Sequence, residues 1–157
     1  MSSAKKLFLV VLGGRCKGCH VEQHDVRWVV GETIDATLPA LRKEWIGLRR
    51  GLHIDSYRCI DHADGHRIEV VEHAKDATSA DAQRLWFVNL GAYDPTSMAE
   101  QHAFGVIVAR SSASAKARAR QRWLKVKNRF TRMIFTLSTW TAAWMICCRF
   151  KAMASGI

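Results

Sequence analysis

Two short polar motifs combine imidazole and carboxylate groups in a pattern that could carry chemistry. Glu22, His24 and Asp25 lie at the start of one predicted strand, and His53 and Asp55 lie in another. Because side chains alternate along a strand, Glu22 shares a face with His24, and His53 shares a face with Asp55. If the strands are neighbours, these groups converge into a general acid–base pair or a divalent-metal site. His24 and His53 are the candidate metal ligands.

A structural interpretation of the same residues competes with the functional one. Histidine–carboxylate hydrogen bonds at a tight connection can simply satisfy buried polar groups and fix strand register. The sequence therefore predicts a candidate binding site but no particular reaction, and no cofactor is predicted. The candidate site consists of Glu22, His24, Asp25, His53, Asp55, Glu100 and His102.

A second motif, Cys16–His20, matches the C-x-x-C-H pattern of covalent haem attachment. Haem attachment needs export, and the apolar run before the motif is better explained as a strand than as a signal peptide. A redox C-x-x-C normally opens a helix, whereas this one lies between two predicted strands. The sequence therefore disfavours both haem and redox roles for Cys16, Cys19 and His20 and favours a variable loop.

An internal repeat organises the chain. Residues 7–45 align without a gap to residues 85–123, at an offset of 78 residues. The alignment matches Leu12-Gly13 with Leu90-Gly91, Glu22-Gln23-His24 with Glu100-Gln101-His102, and Trp45 with Trp123. The repeat predicts a first copy over 1–72, a linker over 73–84 and an incomplete second copy over 85–124.

The elements of each copy follow from apolar patterning. Leu7–Leu12 and Asp25–Val30 are predicted strands, matched by 85–90 and 103–109. Helices follow, with Thr33 or Asp35 capping the first and Ser111 the second. Leu52–Ile60 and His66–Val71 are predicted strands joined by an Asp-Gly turn. The predicted fold is α+β: two β-β-α-β-β repeats, with antiparallel sheet and helices on one face.

The tail, residues 125–157, departs from this pattern. One interpretation is a membrane segment over Met133–Cys148, although sixteen residues are fewer than the roughly 20 that a helix needs to span a bilayer. The other is translation out of frame, because shifting Thr131–Thr141 by one base restores His, Asp and Ile opposite His53, Asp55 and Ile60. We favour the frameshift, which would leave an exposed sheet edge where oligomerisation or aggregation could occur.

Charge and cysteine content restrict the partners and the compartment. The net charge is +10, but the chain up to Leu124 holds 18 basic and 14 acidic residues, and the remaining 6 basic residues lie in the tail. The basic residues of the second helix, Lys116 to Arg122, surround it without a stacking set, which argues against nucleic acid. Five cysteines without a disulfide framework indicate a reducing, cytoplasmic location.

Several motifs resemble a family of bacterial proteins, the one numbered 1543 among the domains of unknown function. These motifs are LGGR at 12–15, GCHVEQHDVRWVVG at 18–31, GLHIDS at 51–56 and FVNLGAY at 87–93. The resemblance covers roughly residues 6–124, implies a small cytoplasmic protein and carries no activity. The sequence thus favours a non-enzymatic module that binds a small ligand or protein through the cleft or sheet edge between the halves. The alternatives are a metal-assisted or acid–base enzyme and a membrane-associated protein.

Overall fold

The computed structural model describes residues 4–70, 83–94, 96–124, 133–138 and 151–152. The fold is mixed α+β, with mostly antiparallel strands and two short α-helices. The chain forms two compact units. The first comprises Met1–His62 and Ile68–Val71, and the second comprises Ala63–Arg67 and Glu72–Ile157. The predicted linker over 73–84 lies almost wholly outside the described residues.

The first unit is a three-stranded antiparallel sheet with one helix. Strands β1 (Lys6–Gly14), β2 (Gln23–Gly31) and β3 (His53–Cys59) lie in the order β2-β1-β3. Strand β1 is the central strand; Val10 on one of its faces is fully buried, and Leu7 on the other face is 2 % exposed. Alternate residues of β1 pack with Val29, Leu41 and Trp45 in the core; these are Phe8, Val10 and Leu12.

The helix of the first unit begins later than the capping pattern predicts. Thr33 Oγ1 accepts a hydrogen bond from the backbone N–H of Ala36 at 3.2 Å, which supports a 3-10 turn over Asp35–Thr37. Helix α1 follows over Leu38–Glu44 with Pro39 in its first turn, where a missing N–H costs nothing. Trp45 then ends the helix and is 7 % exposed, so it lies in the core.

A tight hairpin follows β3. Strands β4 (His62–Ala63) and β5 (His66–Arg67) flank Asp64 and Gly65, whose φ angles are +50° and +75°. Two positive φ angles are typical of the type I′ turn that an Asp-Gly pair favours. The sequence predicts a strand over 66–71; of its described residues, 66–70, only the first two form one. Beyond them, Ile68 N–H donates to the carbonyl oxygen of Asp61 at 2.7 Å.

The second unit has the same strand order. Strands β6 (Arg84–Ala92), β7 (Gln101–Ala109) and β8 (Met133–Ser138) form an antiparallel sheet in the order β7-β6-β8. Helix α2 (Ser112–Leu124) packs on one face of this sheet through Ala115 and Ala119, which are fully buried. Ser111 Oγ accepts from the N–H of Ser114 at 3.2 Å, so the predicted cap is confirmed.

Strand register can be compared between the units. In the first unit Leu7 pairs with Val30, and in the second Leu85 pairs with Val108, which are the residues 78 positions later. The third strands differ, because Gly13 pairs with His53 whereas Gly91 pairs with Ile134. The sequence predicts no strand in the tail, yet β8 occupies the edge of β6 that was expected to be exposed.

The apolar segment that was interpreted as a membrane span lies only partly in the described part of the chain. There, no helix is long and apolar enough to cross a bilayer. The first six residues of the proposed segment form strand β8, and the remaining ones, 139–148, lie outside the described residues. Lys151–Ala152 forms the last strand, β9, which pairs antiparallel with β5.

Candidate functional site

Three neighbouring strands of the first unit bring the predicted histidines to one row. Gly13 of β1 pairs with His24 of β2 on one side and with His53 of β3 on the other. Residues paired across an antiparallel sheet project to the same face. Both imidazoles therefore lie on the face opposite to the one that α1 covers, at the end of β1 where the chain leaves the sheet.

Asp55 connects the two histidines through a separate oxygen for each. His24 Nε2 lies 3.2 Å from Asp55 Oδ2, and His53 Nε2 lies 3.0 Å from Asp55 Oδ1. Glu22 stands at the entrance to β2, with Oε2 4.0 Å from His24 Nε2 and Oε1 3.8 Å from His53 Nδ1. These four side chains are called the His–carboxylate cluster below. The predicted convergence of strands β2 and β3 is what assembles it.

A β-bulge in β3 sets the direction of Asp55. Leu12 pairs with Ile54, but the preceding residue of β1, Val11, pairs with Ser56, so Asp55 is an extra residue in β3. A bulge of this kind re-aims a side chain and increases the local twist. Simple alternation already placed Asp55 beside His53. The bulge is what the sequence did not show, and it adds Ser56 to the same face.

The glycine beneath the cluster leaves room for it. A Cβ on Gly13 would lie 2.7 Å from His53 Nε2 and 3.2 Å from Asp55 Oδ1. The first distance is shorter than any normal contact, so a side chain at this position would push the imidazole off the sheet. Gly13, which the sequence marked only as a matched position of the repeat, is thus part of the site.

The hydrogen bonds of His53 favour its protonated form. Its Nδ1 lies 2.9 Å from the carbonyl oxygen of Gly51, and its Nε2 faces Asp55. A neutral imidazole has one donor and one acceptor nitrogen, whereas both positions here face acceptors. The Gly51 carbonyl is the largest influence that raises the pKa of His53 above 6.5, followed by the charges of Glu22 and Asp55; partial desolvation opposes them.

The cluster is open to solvent. The exposed fractions of the side chains are 51 % for His24, 45 % for His53, 42 % for Glu22 and 34 % for Asp55. Such an arrangement can accept hydrogen bonds from a ligand and can exchange protons with water. Within the described residues, no group of three or more His, Cys, Asp or Glu side chains has the arrangement that would hold a metal ion.

Asp25 lies outside the cluster, although it was among the candidates. It pairs with Leu12 and so projects to the face that α1 covers, because one step along a strand reverses the side chain. Its Oδ2 lies 2.6 Å from Arg27 Nη2, and its Oδ1 accepts the N–H of Val26 at 2.8 Å. Asp25 is therefore engaged in local structural contacts.

The second unit has a reduced version of the site. His102 pairs with Gly91, and its Nε2 lies 3.6 Å from Glu100 Oε2. Glu100 is folded over Gly91 so closely that a Cβ there would collide with Oε1. The third strand contributes Ile134 opposite Gly91, where the first unit has His53. The second unit thus brings together one imidazole and one carboxylate.

The cysteine motif lies in the loop between β1 and β2, as the sequence predicts. Cys19 N–H donates to the carbonyl oxygen of Cys16 at 3.2 Å, and Gly18 has a φ of +81°. A hydrogen bond between residues i and i+3 with positive φ at i+2 defines a type II turn. Cys16, Cys19 and Cys59 all carry free thiols.

One buried carboxylate was missed by sequence analysis. Asp64 at the hairpin tip is only 5 % exposed, and its Oδ2 accepts the N–H of Val108 at 2.7 Å. Arg122 Nη1 lies 2.5 Å from Oδ1, and Arg118 Nη1 lies 3.8 Å from Oδ2. The Asp-Gly pair signalled the turn, but nothing in the sequence showed that the carboxylate reaches an edge strand.

The fold and the cluster define a small mixed α+β protein with antiparallel sheets and an open histidine–carboxylate face. The family model described as Domain of Unknown Function (DUF1543) matches residues 19–70 and 97–130, which is more than half of the chain. The chain belongs to this family. The two matched stretches begin 78 residues apart.

A solved structure has a similar sequence and fold. The protein in the crystal structure of Il1583 from Idiomarina loihiensis shares 34% sequence identity with this chain, and the two structures superpose with a TM-score of 0.62. The similarity covers 94% of this chain and 94% of that one. A comparison with curated proteins gave no match.

Proposed function

We propose that the first unit is a non-enzymatic binding module whose His–carboxylate cluster recognises a cationic hydrogen-bond donor, such as an amine or a guanidinium group. The observation that carries the proposal is the pair of carboxylates on one open face, Glu22 and Asp55, exposed by 42 % and 34 %. Carboxylates accept charge-assisted hydrogen bonds from cations, and a guanidinium group can bind one in a bidentate manner.

The two carboxylates have different roles in this proposal. Asp55 uses one oxygen for each histidine and so holds the imidazoles in place. Glu22 lies 3.8 Å and 4.0 Å from the histidine nitrogens, which is beyond hydrogen-bond distance, so its oxygens retain capacity for a ligand. The ligand is expected to contact Glu22 directly and to be oriented by His24.

An acid–base enzyme is the second candidate function. In that case, the contacts of the two histidines favour His24 over His53 as the catalytic base. His53 engages the Gly51 carbonyl through Nδ1 and Asp55 through Nε2. Among the described residues, both contacts of His24 are made by Nε2, which leaves Nδ1 directed elsewhere. A base oriented by a carboxylate at one nitrogen and presented to substrate at the other is the usual catalytic arrangement.

A titration with small cations tests the binding proposal. Imidazole signals of His24 and His53 are followed by NMR while N-acetyl-arginine amide, N-acetyl-lysine amide or acetate is added. Saturable shifts with the cations and none with acetate are expected, and Glu22→Gln should weaken binding at least tenfold. Glu100→Gln in the second unit is the matched control. Equal shifts with acetate, or unchanged binding in Glu22→Gln, would refute the proposal.

A metal titration distinguishes a metal site from cation recognition, for which no cofactor is invoked. Zinc or nickel is added to the parent chain and to the variants His24→Ala and His53→Ala. Stoichiometric binding that both substitutions abolish would favour a metal site over cation recognition.

We also propose that the two units are copies of one β-β-α-β-β element and that the tail has been translated out of frame. The shared strand register at 78 residues and the two family matches at the same spacing support the duplication. The second match ends at residue 130, close to where the tail departs. The nucleotide sequence across codons 120–157 tests the frameshift. Close relatives that encode the same apolar tail would overturn it.

Location and partners follow from the same proposal. The three described thiols are free, which agrees with a cytoplasmic protein. The proposed partner is a small ligand or a protein segment that carries a cationic side chain. Neither nucleic acid nor a membrane is invoked. Self-association through a sheet edge is a further proposal, which size-exclusion chromatography over a range of concentrations would test.

A further inference from the structure

The loop between β1 and β2 places two thiols at the two ends of one hydrogen-bonded turn. Cys16 is residue i and Cys19 is residue i+3, joined by the 3.2 Å backbone hydrogen bond. The definition of a β-turn brings the two Cα atoms within about 7 Å of each other. Disulfides span Cα separations of about 4.4–6.8 Å, so the two cysteines are near bonding range without a helix.

The two thiols differ in accessibility. Cys19 is exposed, whereas Cys16 is half-buried. The base of the loop is fixed to the chain after α1, because Leu48 N–H donates to the Arg15 carbonyl at 2.7 Å. Cys16 Sγ lies 2.9 Å from where a Cβ on Gly47 would be, so this side of the turn is packed. One thiol is thus held in place while the other meets solvent.

The surface around the turn is basic. Arg15 and Lys17 are both exposed beside the cysteines. Glutathione disulfide carries a net negative charge at neutral pH, and cationic side chains raise the local concentration of an anionic reactant. A redox C-x-x-C normally opens a helix, whereas this one lies in the loop between β1 and β2. The turn nevertheless brings the two thiols close together.

We propose that Cys16 and Cys19 form a reversible dithiol–disulfide pair that a glutathione-type disulfide oxidises. The Cys19 thiolate attacks one sulfur of the oxidant, forms a mixed disulfide and releases one glutathione thiolate. The Cys16 thiolate then attacks Cys19 Sγ, which forms the intramolecular disulfide and releases the second glutathione thiolate. Two protein thiols are oxidised and one glutathione disulfide is reduced to two thiols. The two protons that the protein thiols lose are taken up by the two glutathione thiolates, so no net proton is released.

Peptide mapping of the full-length protein tests the pair directly. The chain is equilibrated with reduced and oxidised glutathione in stepped ratios, its free thiols are alkylated, and it is digested with trypsin. Trypsin can cut after Arg15, Lys17 and Arg27. If trypsin cuts after Lys17, the disulfide would hold the peptides 16–17 and 18–27 together. If it does not, the peptide 16–27 would be lighter than its reduced form by two hydrogen atoms. Two of the five thiols should be lost as the oxidised fraction rises.

Three single variants show which thiol performs which step. In Cys16→Ser, Cys19 should accumulate the mixed disulfide with glutathione, because no resolving thiol remains. In Cys19→Ser, glutathionylation of Cys16 should be at least tenfold slower than that of Cys19 in Cys16→Ser. Cys59→Ser is the matched control, since it removes a half-buried thiol of the core and should leave the Cys16–Cys19 disulfide unchanged.

Clear outcomes would overturn the proposal. One is a stable mixed disulfide at Cys19 in the parent chain without closure of the ring. Another is a disulfide that maps only to the peptide 133–149, which contains Cys147 and Cys148. A third is the persistence of all free thiols under the most oxidising ratio.

Discussion

Replacement of Asp64 by Asn should loosen the hairpin tip from strand β7, both of which belong to the second unit. The side chain is 5 % exposed and accepts the Val108 N–H at 2.7 Å. A hydrogen bond to a charged group contributes about 1.5–3 kcal/mol, and one to a neutral amide about 0.5–1.5 kcal/mol. Arg118 and Arg122 are 55 % and 54 % exposed, so each ion pair adds about 0.5 kcal/mol. The expected loss of local stability is about 2 kcal/mol.

The backbone angle at this position determines which substitutions are informative. Asp64 has a φ of +50°, which Asn and Gly tolerate but Ala does not. Asp64→Gly should therefore cost about 3 kcal/mol through the lost carboxylate, without added strain. Asp61→Asn is the matched control on the same hairpin. Asp61 is 76 % exposed and pairs only with His62 among the described ion pairs, so its replacement should cost less than about 0.5 kcal/mol.

Hydrogen exchange at Val108 is the decisive assay. Val108 lies in β7, an edge strand of its sheet, where its N–H depends on Asp64. A loss of about 2 kcal/mol corresponds to roughly thirty-fold faster exchange, since each 1.4 kcal/mol is a factor of ten. Exchange at Ile107 and Leu90 should change less. If Val108 exchanges at the parental rate in both Asp64→Asn and Asp64→Gly, the proposed cap on the edge strand is wrong.

Three further predictions concern the His–carboxylate cluster. Gly13→Ala places a Cβ 2.7 Å from His53 Nε2, so the imidazole should move away from Asp55 and the pKa of His53 should fall. NMR titration of the His53 imidazole measures this pKa. Gly91→Ala is the control variant and should leave the pKa of His53 unchanged. Because the pKa of His53 is raised above 6.5, its contribution to stability should be complete below pH 6.5 and lost as pH rises through the folded-state pKa. Asp55→Asn should lower that pKa only in part, because the Gly51 carbonyl, its largest cause, remains. A parental His53 that titrates at or below 6.5 would contradict the assignment.

The main strands and the second helix could be predicted because their signals are local. The apolar run of β1 marks a central strand, and Ser111 marks the start of α2. Strand alternation was also sufficient to group Glu22 with His24 and His53 with Asp55. The two pairs of side chains meet because β2 and β3 lie on either side of β1, as the strand order β2-β1-β3 shows. The sequence could only assume that these strands are neighbours.

The sequence by itself determined which groups lie on the same face of each strand, because alternation is a property of the covalent backbone. Alternation also places Asp25 on the face opposite to His24, so Asp25 could have been excluded from the candidate site on sequence alone. Only the tertiary structure decided what these groups touch. The bulge at Asp55, the space above Gly13 and the reach of Asp64 to Val108 all depend on neighbours that are distant along the chain. Local patterns carry no information about such contacts, because they arise only when separate strands and hairpins are packed together.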